Sequence, residues 1–528
     1  MVPTRRSTAR LLASGSVLRA ANLAAQIVVA FFLTPFVIHH LGDRMYGLWA
    51  LVGTFIGYYG LLDLGLASAV SRYVARALGK GDREECGRVF NVALELYLAL
   101  GLVVVALSLV LAFLSPRFAH SPQDAALFWK IILILGFSVA LSFPVNVFGG
   151  LLSAELRMDS VALTEILTQL LRTSLIAVAL LAGGKVLALA WVTFLSNVPR
   201  MAAYLTIAHR QCPWLRFHVQ PLFGQSTKVL FSYGVFALVA QLSDQLRFNA
   251  DSLVITAFVS LAAVTHFRIA ALMVTCLMNL MIGLVGTIQP WFSRMEAVGD
   301  YGAIKSKFLF AMKLAVATVG FIGFGFIFWG KPFIQRWMGR PYLDAYPCLV
   351  VLTLGYVAAL GQGPSTILLY AISKHRFFAF MNLAEGVVNL ALSLWLVKSL
   401  GIFGVALGTF IPMLVTKLIV QPLYVCRVSF IPYGEYMREL GRSLLVTGVG
   451  LLIPGLISAR FATGNYYSLM AVALSSLICY MPVICFLHLT REERAILAEA
   501  ILPNRAARAQ QPALSAANST DGISPAEL

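Results

Sequence analysis

The feature that most constrains this chain is a series of apolar runs, each about 20 residues long, that recur between Leu11 and His488. Each run is long enough to cross the ~30 Å hydrocarbon layer of a bilayer as a helix. Lipid offers no hydrogen-bond partners, so a spanning backbone must satisfy its own N–H and C=O groups as a helix or a closed barrel. A barrel would show short alternating segments, and these runs are continuous. The composition agrees. Of 528 residues, 59% are hydrophobic and 12% charged, about half the charged share of a soluble domain, and the mean hydropathy is +0.83. The expected fold is an all-α polytopic membrane protein of about 14 transmembrane helices.

The formal charge is +17, from 40 Lys+Arg against 23 Asp+Glu. In a soluble chain that excess would suggest nucleic acid. Here the basic residues concentrate at the N-terminus and in alternate loops, among them Lys80, Arg83, Arg88, Arg210, Lys305, Lys374, Arg427 and Arg442. That is the pattern of the positive-inside rule. It predicts no nucleic-acid partner, a multi-pass protein of the cell inner (plasma) membrane, and both termini cytoplasmic. Lys331, Arg336 and Arg340 depart from the pattern in one loop. The excess also suits anionic lipid headgroups. Arg5, Arg6 and Arg10 precede the first apolar run with no A-x-A-like cleavage site, so that run reads as a retained first helix.

The chain repeats itself. VARALGKGDREECGRVF, after the second expected helix, is similar to FSRMEAVGDYGAIKSKF, after the eighth. At one constant offset Arg76 aligns with Arg294, Gly81-Asp82 with Gly299-Asp300, Phe90 with Phe308, and Ser14 with Ser232. Two copies of an even-numbered helical unit enter the membrane from the same side, related by a pseudo-twofold axis along the membrane normal. The expected organisation is an N-terminal lobe over 1–210 (helices 1–6), a cytoplasmic linker over 211–228, and a C-terminal lobe over 229–428 (helices 7–12). Two extra helices over 443–488 and a disordered cytoplasmic tail over 489–528 complete it.

Catalysis finds little support. Outer loops are short, and no DxD pair, phosphate-cradling glycine loop, nucleophile elbow or HExxH occurs in a suitable context. The seven cysteines are scattered and form no CxxC, which indicates neither a disulfide framework nor a metal site. No cofactor is expected, and the protein reads as a non-enzyme.

What remains is charge inside the bilayer. An unpaired charge at mid-membrane costs about 2.5 to 3.5 kcal/mol on insertion scales, so such groups pair or face a wet interior. Arg19, Asn22 and Gln26 share one face of helix 1. Asp244, Arg247 and Asp251 share one face of helix 7. Arg19, Arg247, Arg268 and Lys417, with Asn22 and Gln26, form the candidate substrate set, because guanidinium groups bind diphosphates through paired hydrogen bonds. The acids Asp63, Glu165, Asp244, Asp251 and Glu385 have two open readings, ion coupling or structural pairing. For Asp63 the structural reading is a buried acid accepting bonds from nearby backbone or Ser68. Glu165 and Glu385 occupy similar places in helices 5 and 11. Asp63 has no acidic counterpart, since the repeat offset places Met281 there.

The stretch LGDRMYGLWALVGTFIGYYGLLDLGLASAVSRYVA, Leu41 to Ala75, resembles the signature region of oligosaccharide flippases of the polysaccharide-biosynthesis type. These belong to the multidrug/oligosaccharidyl-lipid/polysaccharide exporter superfamily. The matching positions include Leu41-Gly42, Tyr46-Gly47, Trp49, Asp63, Gly65 and the run Ala69 to Ala75. The resemblance implies a two-lobed fold with a central cavity and alternating access. It implies flipping of a polyprenyl-diphosphate-linked oligosaccharide from the cytoplasmic to the outer leaflet for cell-surface polysaccharide export. The partners implied are the lipid-linked saccharide, the bilayer, and a polysaccharide polymerase or glycosyltransferases. Two rival readings stay open: a cation-coupled multidrug exporter of the same superfamily, and a non-transporting assembly partner of a polymerase.

Overall fold

The structure, a computed structural model, describes residues 5–118, 121–215, 218, 238–239, 241–374, 376–429, 431–461 and 465–501; the side chains of 5–17, 19–20, 458–461 and 498–501 lie outside the description. Among the described residues there are helices and no strand. In chain order the first half comprises α1 (Arg5–Leu41), α2 (Asp43–Tyr59), α3 (Leu66–Gly79), α4 (Arg83–Phe113), α5 (Pro122–Ala154), α6 (Met158–Leu181) and α7 (Val186–Gln211). Next come a helical segment over 241–248 and α8 (Ala250–Phe258). The second half continues with α9 (Leu261–Gly286), α10 (Gln289–Val298), α11 (Tyr301–Trp337), α12 (Ala345–Gly361), α13 (Gly363–Ala371), α14 (Arg376–Val415) and α15 (Gln421–Ser429). Finally α16 (Tyr433–Phe461), α17 (Tyr466–Val483) and α18 (Arg491–Ile501) complete the chain.

Twelve helical segments among the described residues are long and apolar enough to cross a membrane, against the about 14 expected. The difference has two sources. The expected linker and the start of helix 7 lie mostly outside the described residues. And one segment, Arg376–Ser429, has 54 residues, which as a straight helix would run about 80 Å. It does not run straight. Gly401 leaves helical geometry at φ 58°, ψ −137°, and Thr409 Oγ1 lies 3.4 Å from Asn389 Oδ1, 20 residues earlier. A continuous helix would hold those residues about 30 Å apart. Arg376–Ser429 is therefore a tight helical hairpin.

The repeat is visible in backbone detail. Gly81 and Gly299 adopt left-handed φ of 75° and 76°. The carboxylates that follow cap the next helices, Asp82 accepting from the Glu85 amide and Asp300 from the Ala303 amide, both at 2.9 Å. Phe90 and Phe308, about two turns further on, are both fully buried. Gly183 and Gly401, also at positive φ, turn the α6–α7 and α14 hairpins.

The second expected helix is not continuous. After α2 comes one 3-10 turn, Gly60–Asp63, and then Leu64 and Gly65 at φ 50° and 69°. Two consecutive left-handed residues end a right-handed helix, so the axis breaks before α3. Asp63 sits at this break rather than inside a helix. The tail expected over 489–528 differs in its described part: Arg491–Ile501 forms α18, and Glu493 reaches Lys313 of α11 at 3.1 Å; residues 502–528 lie outside the description. Lys313 also pairs with Glu439 at 3.6 Å.

A core of the first half gathers α3, α4 and α5 around Phe90, Tyr97, Phe148 and Leu151. The second half has its own clusters, one around Phe308 and Tyr436 and one around Phe267, Trp337 and Tyr356. The last of these takes in Ile38 and Ala50 from the first half, which joins the two halves. Contacts between halves gather where α2 and α9 begin. Thr265 donates to the Asp43 carbonyl at 2.7 Å, and Trp337 donates to the Phe31 carbonyl at 2.9 Å.

Candidate functional site: a cationic cavity beside an apolar groove

The helical segment 241–248 meets the α14 hairpin through buried charge. Arg247 Nε lies 2.7 Å from Glu385 Oε1, and Lys417 Nζ lies 3.6 Å from Glu385 Oε2. Thr416 donates its hydroxyl to the same carboxylate, and Lys417 donates to Asn382 Oδ1 at 2.9 Å. Arg247, Glu385 and Lys417 are 8%, 2% and 4% exposed. Charges this deep are tolerable only when paired and hydrogen-bonded. One carboxylate cannot neutralise two cations; Asp244 lies within electrostatic reach of both and balances the group. Lys417 projects from a single π turn, Thr416–Val420, a helix irregularity often found at functional sites.

Asp244, Arg247 and Asp251, expected on one face of helix 7, bond to separate partners: Arg247 pairs with Glu385 and Asp251 accepts from Thr409 at 3.4 Å. A turn at Asn249 ends the segment over 241–248, and Arg247 and Asp251 still line one cavity.

Above this cluster lies a cavity of about 330 Å³ lined by Arg247, Asp251, Arg268, Tyr356 and Thr409 of the second half and Tyr46 of the first. That volume is at the lower end for small-molecule sites. Arg268 is half-buried and, among the described residues, has no carboxylate within ion-pair distance. Its guanidinium donors therefore face the cavity with their bonding capacity open, while Arg247 is committed to Glu385. Next to this cavity runs an apolar groove of about 390 Å³ between α1, α9, α11 and α17, lined by Ile27, Phe31, Phe326, Trp329, Phe333, Trp337 and Leu469 among others. Phe31 stacks on Trp337 at 5.1 Å. Leu272 lines both spaces, so a charged chamber and a greasy one adjoin across a single side chain.

The other candidate residues are distributed differently. The side chain of Arg19 lies outside the described residues. Asn22 is half-buried and Gln26 exposed, and neither lines the cavity. The α1 face that meets the second half carries Ile27 and Phe31, and one residue along a helix is a rotation of about 100°. Asp63 accepts from Tyr97 rather than Ser68. It also accepts from the Gly65 backbone and packs in the first-half core. Glu165 pairs with Arg200 at 3.4 Å and accepts from Tyr204 at 2.8 Å. The pair resembles Glu385–Lys417 of the second half. Arg200 is absent from the sequence-based candidates, and the repeat offset brings it next to Lys417, onto Leu418. Arg172 belongs to the same first-half network, donating to Ser196 and Asn197 at 3.2 and 2.9 Å.

A bundle built from two copies of one helix–loop plan, with a charged cavity among its helices, defines a polytopic helical membrane protein with an internal repeat. Residues 11–296, more than half of the chain, match the family described as polysaccharide biosynthesis protein, and the chain belongs to that family. It is 24% identical over 501 residues to the uncharacterized membrane protein EpsK of Bacillus subtilis (strain 168), covering 90% of this chain and 96% of that one. It is 21% identical over 415 residues to a putative O-antigen transporter of Shigella flexneri, covering 76% and 94%. Among solved structures, the lipid II flippase MurJ in an inward closed conformation superposes with a TM-score of 0.69 at 15% identity, covering 89% and 97%.

Proposed function

We propose that this protein moves a polyprenyl-diphosphate-linked oligosaccharide from the cytoplasmic to the outer leaflet by alternating access. The Arg268 cavity holds the diphosphate, and the adjoining apolar groove receives the start of the isoprenoid chain. The observation that carries this reading is the adjacency of the two spaces at Leu272 with an uncommitted guanidinium in one of them. A ligand with an anionic head on a long apolar tail fits that pairing. The similarity to a putative O-antigen transporter and to a lipid II flippase supports the same class of cargo. The polar end of the substrate enters from the side bearing Gly81 and Gly299, which the positive-inside rule assigns to the cytoplasm.

Binding of polyprenyl diphosphate to detergent-purified protein, read by native mass spectrometry, tests the site. Arg268→Ala removes charge-assisted bonds of about 1.5–3 kcal/mol and should weaken binding roughly 10- to 100-fold. Polyprenyl alcohol, which lacks the anionic head, should bind equally to both proteins. Equal binding of the diphosphate to Arg268→Ala would remove Arg268 from the site. A gain of organic-cation efflux in place of saccharide transport would favour the multidrug reading.

A further inference from the structure

The end of the molecule where the halves meet carries titratable side chains that the substrate cavity does not use. Asp43 opens α2 in the first half. Its carboxylate accepts from the Tyr342 hydroxyl at 2.5 Å, and its carbonyl accepts from Thr265 at 2.7 Å. His266 of α9 stands between two carboxylates. Its Nδ1 lies 2.7 and 2.8 Å from the two oxygens of Asp344, and its Nε2 lies 3.5 Å from Asp43 Oδ2. Among the described residues, His266 is the basic side chain within 4 Å of either carboxylate.

A neutral imidazole has one N–H and one lone pair, so it can donate to Asp344 or to Asp43 but not to both. In the neutral ring the other nitrogen would turn a lone pair toward a carboxylate. Only the imidazolium donates at both ends, and its charge then lies between two negative groups. The neighbours do not supply that charge. Arg44 turns away to Asp124 at 2.7 Å and to Ser121 at 2.8 Å. His39 and His40 bond back to the Pro35 and Phe36 carbonyls of their own helix. Tyr342 packs its ring on His266 at 5.0 Å.

We infer that His266 is a proton-binding site that ties the two halves together at this end: the imidazolium bridges Asp43 and Asp344 and holds the end shut, and loss of the proton releases it. The inference rests on the alternating-access reading and gives that cycle a coupling ion. Binding and opening are reciprocal, so if the shut end binds the proton more tightly, raising the pH favours opening and lowering it favours closure. Histidine places such a transition between about pH 5 and 8.

The test is a pulsed electron–electron distance measurement between spin labels at His40→Cys and Arg340→Cys, both exposed at this end, after replacement of the seven native cysteines. The unmodified latch should give a short distance at low pH and a growing long-distance population as the pH rises. His266→Gln should lose that pH dependence, and Asp43→Asn, which keeps the neighbouring backbone contact, should lose most of it. A distance that does not change with pH, or a His266→Gln protein with the full pH response, overturns the inference. If the labels separate on addition of polyprenyl diphosphate but ignore pH, the proton site falls while the transport reading stands.

Discussion

Glu385 holds two buried cations, and its replacement shows what a membrane interior demands of charge. Glu385→Gln leaves Arg247 and Lys417 without their shared partner and should cost about 3–5 kcal/mol of stability, seen as a lowered midpoint in thermal unfolding in detergent. The double change Glu385→Gln with Lys417→Gln should recover part of that loss, because one orphaned charge is gone. Glu165→Gln in the first half should cost less, since its pair with Arg200 is more exposed. The sequence shows that these charges sit within apolar spans and must be paired. It does not show with whom, because partners such as Arg247 and Glu385 lie far apart in the chain and meet only through helix packing. Arg268 was legible as a cavity cation because helix 8 offers it no acid at helical spacing. Asn22 and Gln26 were read as inward-facing from their spacing alone. Spacing fixes which residues share a face, and packing decides where that face points.

At the scale of the element, glycine positions carry the geometry. A methyl on Gly47 would lie 1.8 Å from the Leu261 carbonyl oxygen, so α2 and α9 cross there at backbone contact. Gly47→Ala should weaken closure at that end, lengthening the His40–Arg340 label distance at every pH. Gly53→Ala, whose Cβ meets nothing within 4 Å, serves as the control and should leave the distance unchanged. Gly81→Ala forces a left-handed turn on a residue with a Cβ and should cost about 1–2 kcal/mol in the same unfolding assay. The repeat was readable from these loop glycines and their capping carboxylates, because a positive φ followed by a helix start needs a narrow set of residues. The reversal at Gly401 is readable too, because Lys398-Ser399 and Gly401 separate two apolar runs, over 379–397 and 402–424. The break at Leu64 and Gly65 is not, because the sequence around it reads as one helix over the stretch Leu41 to Ala75. In the sequence the docked helix α18 reads as tail, because it is short and charged. Its anchor, Lys313, lies 180 residues earlier in the chain.

For the whole molecule, the two halves share one backbone plan but carry different chemistry. The first half keeps its intramembrane charges in local pairs, Glu165 with Arg200 and Asp63 under Tyr97. The second half surrounds a cavity with Arg247, Asp251 and Arg268 and adjoins the apolar groove. In the proposed cycle, symmetry would supply the rocking frame, and the departure from symmetry the binding site. The most direct measurement is translocation itself: purified protein in sealed vesicles, with a polyprenyl-diphosphate-linked oligosaccharide in both leaflets and an enzyme outside that modifies only exposed saccharide. The account predicts that intact protein brings the protected inner-leaflet pool within reach of the enzyme and that Arg268→Ala, equally folded, slows this at least about tenfold. Protection that persists in vesicles containing intact, folded protein would contradict it.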